Sequence, residues 1–414
     1  MSPNASSQRW GPRGGEVKRR AICSCSPAES ELEAKMNRLR NAGMGLAVGV
    51  AVCLLAAVIV PVSTAASPSR RMCLGAKATI VGTEGDDHLT GTPHSDAIVG
   101  LGGGDDISGN GGDDKICSGR GVDYIDGGRG SDRESGGRGS DAFSPPGDPG
   151  RDLFDGGRGT DVLFFRRARA GIKVNLSKGF ARAGAGRDEI AVGTVEWVYG
   201  SPSRDWIFGD SHSNVLFAGF DSVGDVIRGR GGSDYIEGNE GDDEIHGGPG
   251  DDFLNGGEGN NQLFGGTGRD TVTFCGRFSA DASVCGGGSP IPEQGVTVDL
   301  DAGTATGPTD ESLTEIENVE GTASNDSITG DAGPNFLYGG PRADSISAGA
   351  SDDMVYGDGV APMPTALTAL FGDGSPQGPD GDDSLDGGPG VDLIDGGGAT
   401  DTCSGGEQVS NCEG

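Results

Sequence analysis

Residues Gly247-Gly248-Pro249-Gly250-Asp251-Asp252-Phe253-Leu254-Asn255 decide how this chain is read, because their pattern returns along most of its length. In general form it is Gly-Gly-x-Gly-x-Asp-x-(apolar)-x, and it recurs clearly at Gly387-Gly388-Pro389-Gly390-Val391-Asp392-Leu393-Ile394-Asp395. The acid at the sixth place gives the register. It runs through Asp87, Asp96, Asp105, Asp114, Asp123, Asp132 and Asp141 without a slip, and two extra residues around Pro145-Pro146 reset it to Asp152 and Asp161. A second array has Asp205 and Asn214, then after a two-residue slip Asp225, Asp234, Asp243, Asp252, Asn261 and Asp270. A third has Asp326, Asn335, Asp344 and Asp353, and the last has Asp383, Asp392 and Asp401. Two places after the acid stands an apolar residue, as in Leu89, Ile98, Ile107, Ile116 and Ile125, or Ile236, Ile245 and Leu254; Glu134 breaks the rule.

One inward side chain per nine residues describes a very short strand. Such a unit cannot bury itself, so stacked neighbours must create the core. The expected fold is all-β, a solenoid of nonapeptide turns and strands. Composition alone points elsewhere. With 81 Gly among 414 residues, 33% hydrophobic residues and a net charge of -32, the chain resembles disordered sequence that cannot offset its conformational entropy. The strict period resolves the conflict conditionally: unfolded without a cation, ordered with one. The acidic balance disfavours nucleic acid and anionic membrane surfaces as partners.

Calcium is a hard cation that takes six to eight oxygen ligands from carboxylates and carbonyls. Glycine lets the backbone adopt positive-φ conformations that turn carbonyls around an ion. In a coil of two repeats, equivalent aspartates stack at roughly 4.8 Å, one strand spacing. Carboxylates that close repel by about 1 kcal/mol per pair even in water, and by more at lower dielectric. A divalent ion reverses that repulsion, so metal binding and folding should be one process.

On these residues the chain resembles the hemolysin-type calcium-binding repeat family, the RTX repeats, over most of residues 82 to 404. The resemblance implies a parallel β-roll, with calcium held between successive turns by the aspartate and by backbone carbonyls. It implies as ligands Asp105, Asp114, Asp123, Asp132, Asp141, Asp161, Asp234, Asp243, Asp252, Asp270, Asp383 and Asp392. Asn214, Asn261 and Asn335 lose a charge and are expected to bind weakly or not at all. Asp96, Asp205 and Asp326 lack the preceding glycines, which leaves their turns open to question. Asp86, Asp113, Asp251 and Asp382, one place earlier in the repeat, are expected to face solvent.

The remaining segments organise the arrays. Residues 1–35 read as a basic leader or misassigned start, and 36–66 as a secretory signal. Arg38 and Arg40 precede an apolar run from Gly45 to Val60 and the small residues Ser63 to Ala66; an uncleaved anchor is the alternative. Arrays are expected over 67–164, 200–273, 321–358 and 378–414, with a Pro-rich insertion at 359–377. Segments 165–199 and 274–320 do not repeat on nine but match each other. Gly171-Ile172-Lys173-Val174-Asn175-Leu176 parallels Gly295-Val296-Thr297-Val298-Asp299-Leu300, and each segment leads to Glu-x-Val-x-Gly at Glu196 and Glu317. Their alternation predicts longer strands that couple arrays. Six cysteines follow the signal, and local pairing is expected for Cys73 with Cys117, Cys275 with Cys285 and Cys403 with Cys412.

The functional expectation is a secreted, extracellular, non-enzymatic calcium-binding protein that folds on export, with calcium ions as partners and any cell-surface or matrix partner unidentified. His88, His94, His212 and His246 form no H-E-x-x-H site, and no G-x-S-x-G elbow precedes a helix. The alternatives are a secreted hydrolase or protease whose active site lies within 165–200 or 274–320, and a calcium-dependent adhesin.

Overall fold

The computed structural model describes residues 72–184, 186–219, 223–274, 295–307, 309–358, 381–406 and 408–412. The leader and signal, the Cys275 and Cys285 pair and the Pro-rich insertion lie outside these residues.

Each repeat is a tight turn followed by a strand, of three residues in most cases. Tyr235–Glu237 pairs in parallel with Phe253–Asn255, matching Tyr235 to Phe253 and Ile236 to Leu254. Partners are two nonapeptides apart, so one coil holds two turns and two strands on opposite faces. One face carries Ala97–Val99 and Lys115–Arg120, and the other carries Asp106–Ser108 and Tyr124–Asp126. The expected β-roll is the observed architecture.

The core is the predicted file of single residues. Ile98, Ile116, Ile227, Ile245 and Leu263 stack down one face; Ile107, Ile125, Ile236, Leu254 and Val272 stack down the other. All ten are fully buried. Each contributes about 1.5–3 kcal/mol of burial, little enough per coil that neighbours must cooperate. In and beside a second, smaller buried cluster, rings also stack coil on coil: Phe164 on Tyr199 at 4.7 Å and Tyr199 on Phe217 at 4.3 Å between centroids.

The two lead-in segments make the same detour. Lys173–Asn175 pairs in parallel with the later strand Trp206–Phe208, and the chain then doubles back through Phe180–Ala181 to Asp188–Ile190. That last strand rejoins the ladder beside Leu153–Arg158. Thr297–Asp299, Thr304–Thr306 and Asp310–Thr314 repeat this meander between Gln262–Thr267 and Ser327–Thr329. Among the described residues one face has nineteen strands and the other fifteen. The surplus is the two extra strands of each detour. Alternation had predicted longer strands here, but Lys173–Asn175 and Thr297–Asp299 have three residues each, no more than most repeat strands, and only Asp310–Thr314 reaches five. Their residues Ile172, Val174 and Leu176 all reach the core, because the chain turns at once into a short 3-10 turn at Leu176–Lys178.

The third and last arrays are one ladder: Ser345–Ser347 pairs directly with Ser384–Asp386, and Met354–Tyr356 with Leu393–Asp395. Cys73 and Cys117 are bridged, as are Cys403 and Cys412, with Cα separations of 5.7 and 5.9 Å. Cys403 sits in the apolar column below Leu385, but Val409, not Cys412, follows Ile394 in the other column. Cys412 reaches its partner because the chain turns back after the last strand, Gln408–Ser410. Among the described residues no helix is long and apolar enough to cross a membrane.

Glu134 is an anomaly within this core. It occupies the column between Ile116 and Phe154, is 2% exposed, and its Oε2 has no hydrogen-bond partner. Replacing it by leucine should raise the calcium-saturated stability of these coils by about 1–3 kcal/mol, the cost of a buried polar atom left unpaired. Denaturant titration with hydrogen exchange over 116–154 measures this; a loss of stability would instead show that the carboxylate has a partner in solution.

Candidate metal centres

The repeat aspartates point into the structure. Asp252 is fully buried, and its Oδ1 accepts the Asp234 backbone N–H at 2.8 Å. The Asp252 N–H in turn donates to Asp270 Oδ1 at 2.9 Å. One carboxylate oxygen thus reaches back to the equivalent amide of the preceding coil. The same bond joins Asp87 to Asp105, Asp96 to Asp114, Asp105 to Asp123, Asp114 to Asp132 and Asp123 to Asp141, at 2.7–3.0 Å. It continues from Asp141 to Asp161, Asp225 to Asp243, Asn214 to Asp234, Asp344 to Asp383 and Asp353 to Asp392. All twelve predicted ligands occupy this ladder, in two rows of turns.

The second oxygen differs. Oδ2 of Asp105, Asp114, Asp132, Asp141, Asp161, Asp234, Asp252, Asp270, Asp383 and Asp392 is buried without a hydrogen-bond partner. An anionic oxygen withdrawn from water and left unpaired is costly, and a cation removes that cost. Glycine makes the room. A Cβ on Gly247 would stand 2.3 Å from Asp252 Oδ2, so the first place of the repeat leaves space for the carboxylate. At the fourth place Gly250 has φ +136°, and a Cβ there would lie 1.9 Å from Gly232 O. The turn therefore combines close-packed backbone, carbonyl groups and an unsatisfied acid, a donor set of oxygens that suits a hard cation.

The ligand set expected from sequence left out several rungs. Asp344, whose Oδ2 is likewise buried and unpartnered, joins Asp326 at 2.7 Å, and Asp353 joins Asn335 at 2.8 Å. Glu196 and Glu317 take the acid's place where the detours end, accepting from the N–H groups of Asp161 and Asp270 at 2.8 Å. The signal was available, since each lies two residues before an apolar strand centre, but the extra methylene and the broken register concealed it. Asp188 is another such rung, accepting from Asp152 N–H at 3.1 Å.

The acids one place earlier face solvent, as expected, and have a role of their own. Asp86 accepts from Gly104 N–H at 2.6 Å, Asp113 from Ser131 N–H at 2.9 Å, and Asp251 from Arg269 N–H at 3.0 Å. Each reaches forward to the next coil, against the direction of the buried ladder. At Asn261 Oδ1 accepts the Asp243 N–H at 2.9 Å and Nδ2 donates to buried Glu311 at 3.3 Å, whereas Asn214 Nδ2 is buried without a hydrogen-bond partner.

A profile of the hemolysin-type family described as RTX calcium-binding nonapeptide repeat (4 copies) matches residues 78–107, 99–134, 108–143, 147–165, 190–222, 223–254, 237–272, 314–340, 329–360 and 378–409. The chain belongs to this family. It is an RTX calcium-binding repeat protein, and its cofactor is Ca2+. The RTX matches leave out most of the two detours, residues 166–189 and 273–313. No curated protein matches the chain.

Without a cation the most strongly shifted rungs of the RTX ladder hold their protons. Burial, with neighbouring rungs adding, pushes Asp114 up from 3.8 to about 7, Asp141 and Asp234 to about 8, and Asp344 to about 9. The folded state then binds protons that the unfolded chain has released, so metal-free stability is greatest below about pH 4 and falls as pH rises toward about 9. Circular dichroism of the chelated chain should show structure lost over that window and restored by calcium; a metal-free signal independent of pH would contradict it. Asp252→Asn keeps the Oδ1 bond but removes a charge, and should weaken calcium binding at its turn by roughly tenfold, measured by calorimetric titration.

Proposed function

We propose that this RTX chain is exported through its N-terminal signal and folds outside the cell by loading calcium into its turns, with no catalytic centre of its own. One observation supports this above all: a buried, partnerless carboxylate oxygen recurs coil after coil against a glycine that leaves it room. Under this reading Asp105, Asp114, Asp123, Asp132, Asp141, Asp161, Asp234, Asp243, Asp252, Asp270, Asp383 and Asp392 hold the ions, with Asp344 and Asp353 added to them. Bound calcium supplies the positive charge that lets stacked acids stay ionised. The protein supplies geometry: Oδ1 is tied to the neighbouring coil, which aims Oδ2 into the turn.

Because every rung joins two coils, ordering one turn prepares the next, and loading is cooperative. Extracellular calcium modules work near 10⁻⁴ to 10⁻³ M, where a leaderless acidic chain would fill after export and stay open inside the cell. The bridges Cys73–Cys117 and Cys403–Cys412 fit an oxidising compartment. The detours, where a hidden active site was the alternative, send Ile172, Val174, Val296 and Val298 into the core. Arg167, in the first of the two segments, pairs with Asp126.

Calcium titration of the purified chain, followed by circular dichroism, tests the reading. A steep rise in β signal near millimolar calcium, reversed by chelator, is expected. A chain equally folded with and without chelator would sink it.

A further inference from the structure

We propose that three coils, one opening each array, are closed by protein donors in place of calcium and stay ordered in its absence, so that each array grows from a metal-independent seed. The proposal rests on the calcium reading of the other turns and adds which residue decides between the two kinds.

That residue stands at the second place of the repeat. In the turns ending at Asp105, Asp114, Asp234 and Asp243 it is Leu101, Asn110, Arg230 and Asn239, all left-handed with φ between 67° and 85° despite having side chains. Its N–H does not meet Oδ2 of Asp105, Asp114 or Asp234, and that of Arg230 donates instead to Gly247 O in the next coil at 2.8 Å. At the openings of the arrays the second place is Thr83, Thr92, Ser201, Asp210, Thr322 or Asp331, and none of the six is left-handed. Their N–H groups turn inward. Thr83 and Thr92 donate to Oδ2 of Asp87 and Asp96 at 2.5 and 2.7 Å, and Ser201 and Thr322 to Oδ2 of Asp205 and Asp326 at 2.6 Å each.

Hydroxyls complete the closure. Thr92 Oγ1 donates to Asp96 at 2.8 Å, Ser201 Oγ to Asp205 at 2.6 Å and Thr322 Oγ1 to Asp326 at 2.9 Å. In the following turn of the second and third arrays an asparagine replaces the acid. Asp210 N–H donates to Asn214 Oδ1 at 2.8 Å and Asp331 N–H to Asn335 Oδ1 at 2.9 Å. Asn335 Nδ2 donates to Glu317 O at 2.8 Å. The oxygen that stays unpaired and buried in the calcium turns is here met by an N–H and often a hydroxyl. Donor hydrogens converging on a site repel a cation as surely as lone pairs attract one.

The placement is regular. Asp87 with Asp96, Asp205 with Asn214, and Asp326 with Asn335 each make one full coil, both turns included, at the start of an array. A seed of this kind removes the nucleation cost of a repeat protein, whose first coil has no neighbour to stack on.

Hydrogen exchange on the full chain in chelator tests this. Amides within 83–99, 201–217 and 322–338 should exchange about tenfold or more slowly than those within 243–270, with all regions protected once calcium is added. Equal, fast exchange of both sets in chelator, followed by protection in calcium, would overturn the seeds while leaving the calcium reading intact; protection everywhere in chelator would overturn both. Ion counting by native mass spectrometry gives a second readout. Asp326→Asn should leave the number of bound calcium ions unchanged where Asp252→Asn lowers it, and a lowered count for Asp326→Asn would place a cation in that turn and end the proposal. Thr322→Val should abolish metal-free protection over 322–338 while calcium-loaded protection persists; metal-free protection retained in Thr322→Val would show that the hydroxyl does not close the coil.

Discussion

A carboxylate that spends one oxygen on the backbone of the preceding coil and keeps the other buried is the constraint on which this solenoid depends. The first oxygen sets the vertical spacing and register of the turns, as between Asp234, Asp252 and Asp270. The second carries negative charge into a place that water does not reach. Neither job can be done alone. A carboxylate tied down on both oxygens would need no metal, and one left in solvent would bind it weakly. Cooperative assembly follows, because an ion that satisfies one rung also fixes the coil to which that rung is bonded.

Two side-chain ladders running in opposite senses brace the turns. The buried sixth-place acids reach back and the exposed fifth-place groups reach forward: Asp113 to Ser131, Asp242 to Asn260, Asp382 to Thr400. Where both are present they hold a turn from both neighbours, in a chain whose strands are too short to do so. The core contributes one residue per strand, so the turns carry much of the specificity that packing carries in a globular domain. This explains how 5% aromatic and 33% hydrophobic content suffices.

The detours show what the ladder tolerates. Each inserts a doubled-back pair of strands into one face while the other face continues coil to coil, with Trp197–Tyr199 pairing directly to Val162–Phe164. A glutamate then restores the rung, its longer side chain spanning the altered spacing. The Pro-rich insertion is tolerated more simply, since Asp344 bonds across it to Asp383 as if the intervening residues were absent.

The nine-residue period sufficed for an all-β solenoid, its two inward columns and the acid register, because each depends on residue type and spacing alone, and the resemblance to the RTX repeats added the parallel roll and the calcium assignment. Two disulfides were legible only as pairings of cysteines adjacent along the chain. The backbone decided the rest. Whether Asp326 or Asp252 keeps an open oxygen turns on the handedness of one residue four places earlier, and the letters Thr and Gly do not announce which way a peptide faces. The rungs of Glu196 and Glu317 escaped a reading tuned to aspartate, and Cys412 met Cys403 through a chain reversal that periodicity cannot represent. Spacing along a chain determines which groups recur together; only the folded coil, where residues from neighbouring repeats lie within hydrogen-bonding distance, determines which of their atoms are left unpaired.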